Sequence, residues 1–129
     1  MKLVVLCVII AFAVAQEETG TYTNRFDNID IEEVLMSDRL YRGYYNCLLD
    51  MGPCTPEGSE LKRYLPEALE NGCARCTEKQ REFGIKAINY LIENRPEDWA
   101  ILKAKFDPDN KIIEKYREQA VSAGINLTQ

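Results

Sequence analysis

Four cysteines between positions 47 and 76 constrain this chain more than anything else in it. They stand as Cys47-Leu-Leu-Asp-Met-Gly-Pro-Cys54, then eighteen residues, then Cys73-Ala-Arg-Cys76. Two close pairs are either short-range staples, metal ligands or a redox couple, and the compartment decides between these. The start of the chain speaks to that. Met1-Lys2 is a short basic start, residues 3–14 are an unbroken apolar run, and Ala13-Val14-Ala15 is an A-x-A site. This is the layout of a secretory signal peptide cleaved before Gln16, and the run is too short for a comfortable membrane span. Cys7 lies inside the run and is expected to leave with it. The remaining four cysteines then meet an oxidising compartment, which favours disulfides.

Four cysteines admit three pairings, and proximity favours Cys47–Cys54 with Cys73–Cys76. Such small loops remove little entropy from the unfolded chain, so their expected work is local: clasping helix ends. Zinc is disfavoured. Only the second pair has zinc-like spacing, and the chain has no histidine. A thioredoxin-type role for Cys73-Ala-Arg-Cys76 requires a strand-to-helix turn in an α/β fold, and nothing here reads as a strand. Without histidine, Ser-His and Cys-His catalysis are excluded. The many Asp and Glu residues sit at helix starts and on polar faces, and no glycine-rich phosphate loop appears. The expectation is no enzyme, no metal and no cofactor.

Residues 16–129 read as one domain, large enough for a modest core. Loss of Lys2 takes the formal net charge from −5 to about −6. The acid is spread along the chain. Nucleic acid and anionic membranes reward clustered Lys and Arg, so neither is an expected partner. No second apolar run reaches membrane length, so membrane insertion is not expected.

Residues 16–28 read as a polar, extended arm, with Tyr22, Phe26 and Ile29 able to pin it to the body. Asp30-Ile-Glu-Glu33 opens a short first helix. Ser37 or Asp38 caps a second, carrying Leu40, Tyr41, Tyr44, Tyr45 and Leu48 and ended by Met51-Gly52-Pro53. Thr55-Pro56 opens a third, whose stripe of Leu61, Tyr64, Leu65, Ala68 and Leu69 has clean helical spacing. Pro66 inside it predicts a kink or break. Asn71-Gly72 stops it. Thr77-Glu-Lys-Gln80 is a capping box for the longest helix. Its apolar arc of Phe83, Ile85, Ala87, Ile88, Leu91 and Ile92 is wide enough to pack on several sides. Pro96 opens a fifth helix with Trp99, Ile101, Leu102 and Phe106. Asp107-Pro-Asp-Asn110 is a turn with Asn110 as the cap of a last helix ended by Gly124. No stretch keeps a period of two, so the fold class is all-α, about six helices. Asn126-Leu-Thr128 matches a glycosylation sequon, read as a chance match so near the end.

The Cys-x6-Cys-x18-Cys-x2-Cys spacing behind a signal peptide, on a small acidic helical chain, resembles the insect chemosensory proteins, or OS-D family. Tyr22-Thr-Asn-Arg-Phe-Asp-Asn-Ile-Asp30, Cys54-Thr-Pro-Glu-Gly58, Leu65-Pro-Glu-Ala-Leu69 and Lys105-Phe-Asp-Pro-Asp109 look like blocks of that family. Phe26 and Phe106 stand where tyrosine is common in it. The resemblance implies six helices around an apolar tunnel and sequential disulfides 47–54 and 73–76. It also implies reversible carriage of small hydrophobic molecules: fatty acids, long-chain alcohols or esters, odorants, pheromones or cuticular lipids. It places Tyr44, three residues before the first cysteine, at the ligand channel. A tyrosine suits such a place, with an apolar ring and one polar tip. Leu40, Leu61, Leu65, Ile85, Ile88, Ile92 and Trp99 are the other expected wall residues. The disulfides are expected to fix the shape of the pocket mouth without lining it. The chain is then expected to be secreted and monomeric, with a hydrophobic ligand and a membrane receptor as candidate partners. The competing reading is an extracellular developmental or interaction protein whose core is simply filled.

Overall fold

In the computed structural model, which describes residues 20–127, every helix but the one that opens at Pro96 begins where an oxygen-bearing side chain caps it. Asp30 opens α1 (Ile31–Met36) by accepting from the Glu33 N–H, and Ser37 opens α2 (Asp38–Leu48) by accepting from Leu40. Thr55 opens α3 (Pro56–Glu70) through the Gly58 N–H, with Pro56 in the first turn. Thr77 and Gln80 cap α4 (Glu78–Asn94) reciprocally. Pro96 opens α5 (Pro96–Phe106), and α6 is Lys111–Ser122. Each cap satisfies an N–H that the first turn of a helix leaves unbonded. Six helices and no strand occur among the described residues, as the sequence pattern requires. The expected leader, residues 1–15, lies outside them.

Three local expectations are corrected. α2 ends at Leu48, ahead of the Met51-Gly52-Pro53 stop, and the left-handed residue is Asp50 at φ 60°, not Gly52. An Asp tolerates that conformation better than most residues. The Asp50 carboxylate accepts from Lys62 of α3 and from Lys105 of α5 at 2.9 Å. Those two ammonium groups hold its pKa down at about 2. The break expected at Pro66 does not occur: α3 continues through it, with the proline on an exposed position. At the start of α6, Asn110 is left-handed and makes no side-chain cap. Asp107 caps instead, accepting from the N–H groups of Ile112 and Ile113 at 3.0 Å each.

Packing follows the chain closely: α1 lies on α2 and α4, α2 on α3, and α4 on α5. The filled core is small. Leu35, Tyr41, Tyr45 and Leu102 form its centre, flanked by Ile31, Leu48, Leu49, Ala87, Tyr90, Leu91 and Phe106. Tyr41 donates to Asp98 at 2.7 Å, while Arg95 lies 4.5 Å over the Tyr41 ring and bonds Asp38 at 3.2 Å. This network ties α2 to α5. α6 is held at its middle, where the Tyr116 hydroxyl donates to the Glu70 carbonyl at 2.7 Å. Beyond it the chain returns to α4: Asn89 bonds the Gly124 carbonyl and the Asn126 N–H, each at 2.8 Å. The Asn126 side chain of the sequon donates to Glu93, and Thr128 lies outside the described residues.

Both local disulfides are present, Cys47–Cys54 with Cα atoms 5.0 Å apart and Cys73–Cys76 at 5.1 Å. Loop closure on this scale contributes about 2 kcal/mol each. The first clasp also sets how α3 approaches α2. A Cβ at Gly58 would stand 3.2 Å from the Cys47 sulfur, so the close approach depends on the missing side chain.

Candidate functional site

The apolar faces outnumber the residues that fill the core. Among the described residues only Tyr22, Leu35, Tyr41, Tyr45, Cys47, Cys76 and Leu102 are buried hydrophobics. All of these but Cys47, together with half-buried apolar side chains around them, line a cavity of about 320 Å³. That lies at the small end of the range for sites that hold a ligand.

Residues 20–30, ahead of α1, form one wall. This strap carries no helix and is held by polar contacts to the second clasp and to the start of α4. The Tyr22 N–H donates to the Arg75 carbonyl at 2.8 Å, and the Arg75 side chain returns a bond to the Gly20 carbonyl at 2.6 Å. Gln80 donates to the Thr23 carbonyl at 2.8 Å and the Thr77 hydroxyl to Asp27 at 3.0 Å. The Tyr22 ring stacks on Tyr64 with centroids 4.5 Å apart, and burial pushes its phenol pKa up. Tyr22 pins the arm to the body, and Tyr22, Phe26 and Ile29 all line the cavity.

Five helices complete the wall. α1 gives Ile31, Val34 and Leu35; α2 gives Tyr41, Tyr44, Tyr45 and Leu48. α3 gives Leu61, Tyr64, Leu65 and Ala68, with Glu57 in its first turn and Glu60 in its second. α4 gives Gln80, Phe83, Gly84, Ala87 and Leu91, and α5 gives Leu102. Leu61 is on the wall and yet 42% exposed, so the cavity reaches the surface beside it. The Tyr44 phenol is raised by burial foremost; Thr55 lowers it and the Glu57 carboxylate raises it. Glu60 presents a buried carboxylate oxygen with no hydrogen-bond partner.

Of the residues expected on the wall, Tyr44, Leu61 and Leu65 are there. Leu40, Ile85, Ile88, Ile92 and Trp99 are half-buried and off it. The reason is angular. Ile85, Ile88 and Ile92 each follow a wall residue by one position, Gly84, Ala87 and Leu91, which turns them about 100° around the helix. That flank of α4 is where Asn89 holds the chain leaving α6. Leu40 lies one turn before Tyr44 at the edge of the α2 stripe, and α5 reaches the cavity only through Leu102. The clasps divide. Cys47 and Cys54 stay off the wall as expected, but Cys73 and Cys76 line it, because the turn they close carries the strap's anchor Arg75. The wall residues of α1 and the strap were legible only as apolar positions of short segments, too brief for a period to assign them a face.

The comparisons with known proteins agree with this geometry. A model of the insect pheromone-binding family A10/OS-D matches residues 22–114. Ejaculatory bulb-specific protein 3 of Drosophila melanogaster is 47% identical over 127 residues, 98% of this chain and 100% of that protein. Allergen Tha p 1 of Thaumetopoea pityocampa is 47% identical over 122 residues, 95% of this chain and 97% of that one. Among solved structures, a chemosensory protein in complex with bromo-dodecanol aligns with a TM-score of 0.71 at 43% identity, covering 77% of this chain and 99% of that one. The antennal chemosensory protein A6 of the moth Mamestra brassicae aligns at 0.63 with 45% identity, covering 81% of this chain and 96% of that one. The matched blocks, the two clasps and the six helices leave one assignment: this chain belongs to the insect chemosensory proteins, the A10/OS-D pheromone-binding family.

Proposed function

We propose that the chain is a secreted, soluble carrier that reversibly binds small hydrophobic molecules in the cavity beneath the strap. The observation that carries this is the cavity itself. A wall of tyrosine, leucine, isoleucine and phenylalanine around about 320 Å³ favours transfer of an alkyl chain out of water by about 0.8 kcal/mol for each buried methylene. The bromo-dodecanol held by a structural neighbour gives this support from outside the chain. Tyr44, Leu61 and Leu65 are proposed to touch the ligand. Leu40, Ile85, Ile88, Ile92 and Trp99 support it indirectly, packing the helices that hold the wall. A secreted carrier has residues 1–15 removed, works as a monomer without catalysis, and hands its cargo to a membrane receptor. The reading with a filled core has the cavity against it.

Displacement of a fluorescent apolar probe by long-chain alcohols, acids and esters tests the carrier. Binding of at least one class to the folded monomer is expected, and none at all would sink the proposal. Tyr44→Ala is expected to change affinity several-fold while leaving the helical circular dichroism intact. Unchanged affinity across all classes would remove Tyr44 from the ligand site.

A further inference from the structure

The charged side chains on the cavity wall are all acidic. Asp27, Glu57 and Glu60 line it, and no lysine or arginine does. Asp27 is engaged by the Thr77 hydroxyl at 3.0 Å. Glu60 is different: its Oε2 is buried and accepts no hydrogen bond. It sits one turn along α3 from Glu57, whose carboxylate acts on the phenol of Tyr44, so the three polar groups gather at the end of the cavity where α3 begins on α2. A buried carboxylate oxygen without a donor is costly, and a ligand that brings a donor removes that cost. A ligand that brings a second carboxylate adds like charge with no cation on the wall to offset it.

We propose that Glu60 reads the polar end of the cargo and selects a chain ending in a hydroxyl donor over the same chain ending in a carboxylate. This rests on the carrier reading and narrows it to primary alcohols. The hydroxyl donates to the Glu60 carboxylate, and the alkyl chain runs along Leu61, Tyr64, Leu65 and Ala68 of the same helix. An ether of equal length fits the apolar wall but has no proton to give.

The test is competition for a fluorescent apolar probe by dodecanol, dodecyl methyl ether and dodecanoate, at alkaline pH where the acid is ionised. Dodecanol is expected to bind about tenfold more tightly than either of the others, the step expected for one hydrogen bond to a charged group. Glu60→Gln keeps the shape and removes the charge, and is expected to bring dodecanoate to within about twofold of dodecanol. The ranking on the unaltered protein tests the idea without any variant. Equal affinity for the three, or the same alcohol preference in a folded Glu60→Gln, overturns the role of Glu60 and leaves the carrier standing. Failure of all three to displace the probe overturns the role of Glu60, and failure of the longer alcohols, acids and esters as well overturns the carrier itself.

Discussion

Gly72 has φ +65°, and a Cβ built there would stand 2.7 Å from the Tyr116 ring. Gly72→Ala therefore meets a disfavoured backbone and a steric overlap together. A loss of about 3 kcal/mol is expected in urea unfolding, because the ring cannot retreat without breaking its bond to Glu70. Tyr41 gives a second prediction at this scale. Burial and the bond to Asp98 push its phenol well above the ordinary value. The folded state thus holds a proton that the unfolded chain releases near pH 10. Its contribution is complete below that pH and fades as pH rises further. Tyr41→Phe is expected to cost about 2 kcal/mol at neutral pH, since it leaves the Asp98 carboxylate short of a donor. It is also expected to flatten the fall in thermal midpoint above pH 10, checked by melting across an alkaline series. The hydroxyl's partner was not legible in the sequence: fifty-seven positions separate Tyr41 from Asp98, and no local spacing links them.

Helix starts were legible because a cap is a local event. Asp30, Thr55 and the Thr77–Gln80 box act within three residues of where they stand. Asp107 shows the limit of that logic. It is 8% exposed and reaches across five and six positions to cap α6, while the residue next to the helix turns away. Asp107→Ala is expected to destabilise the fold by about 2 kcal/mol. Faster amide exchange at Ile112 and Ile113 than in the centre of α4 is the check. Helix faces were less legible than helix ends. α4 presents two apolar stripes, and a period cannot say which meets the cavity and which meets the returning tail. The choice depends on where α1, α3 and the strap lie, and that is tertiary information.

For the whole molecule, the small packed cluster of Leu35, Tyr41, Tyr45 and Leu102 is also part of the wall of the hollow, which the strap closes on another side. Class and helix number followed from patterning. The hollow did not, because the same apolar stripes serve a filled core equally well, and only the family resemblance pointed to it. Ala68 lines the cavity, where volume can be added. Ala68→Phe is expected to abolish probe binding and to leave the thermal midpoint within a few degrees, since the ring enters space instead of displacing packed atoms. Loss of folding together with binding would show that no free space stands beside Ala68.

The strap gives this arrangement a kinetic meaning. Five helices and a disulfide make up most of the wall. The strap is fastened to the turn of Cys73–Cys76 and the start of α4 by a few hydrogen bonds and one stacked tyrosine pair. Its detachment is a local event, cheaper than the global one. A cargo that passes under the strap, and not through the opening beside Leu61, would leave at the strap's rate and not the fold's, so residence time and heat resistance could then be tuned by separate residues.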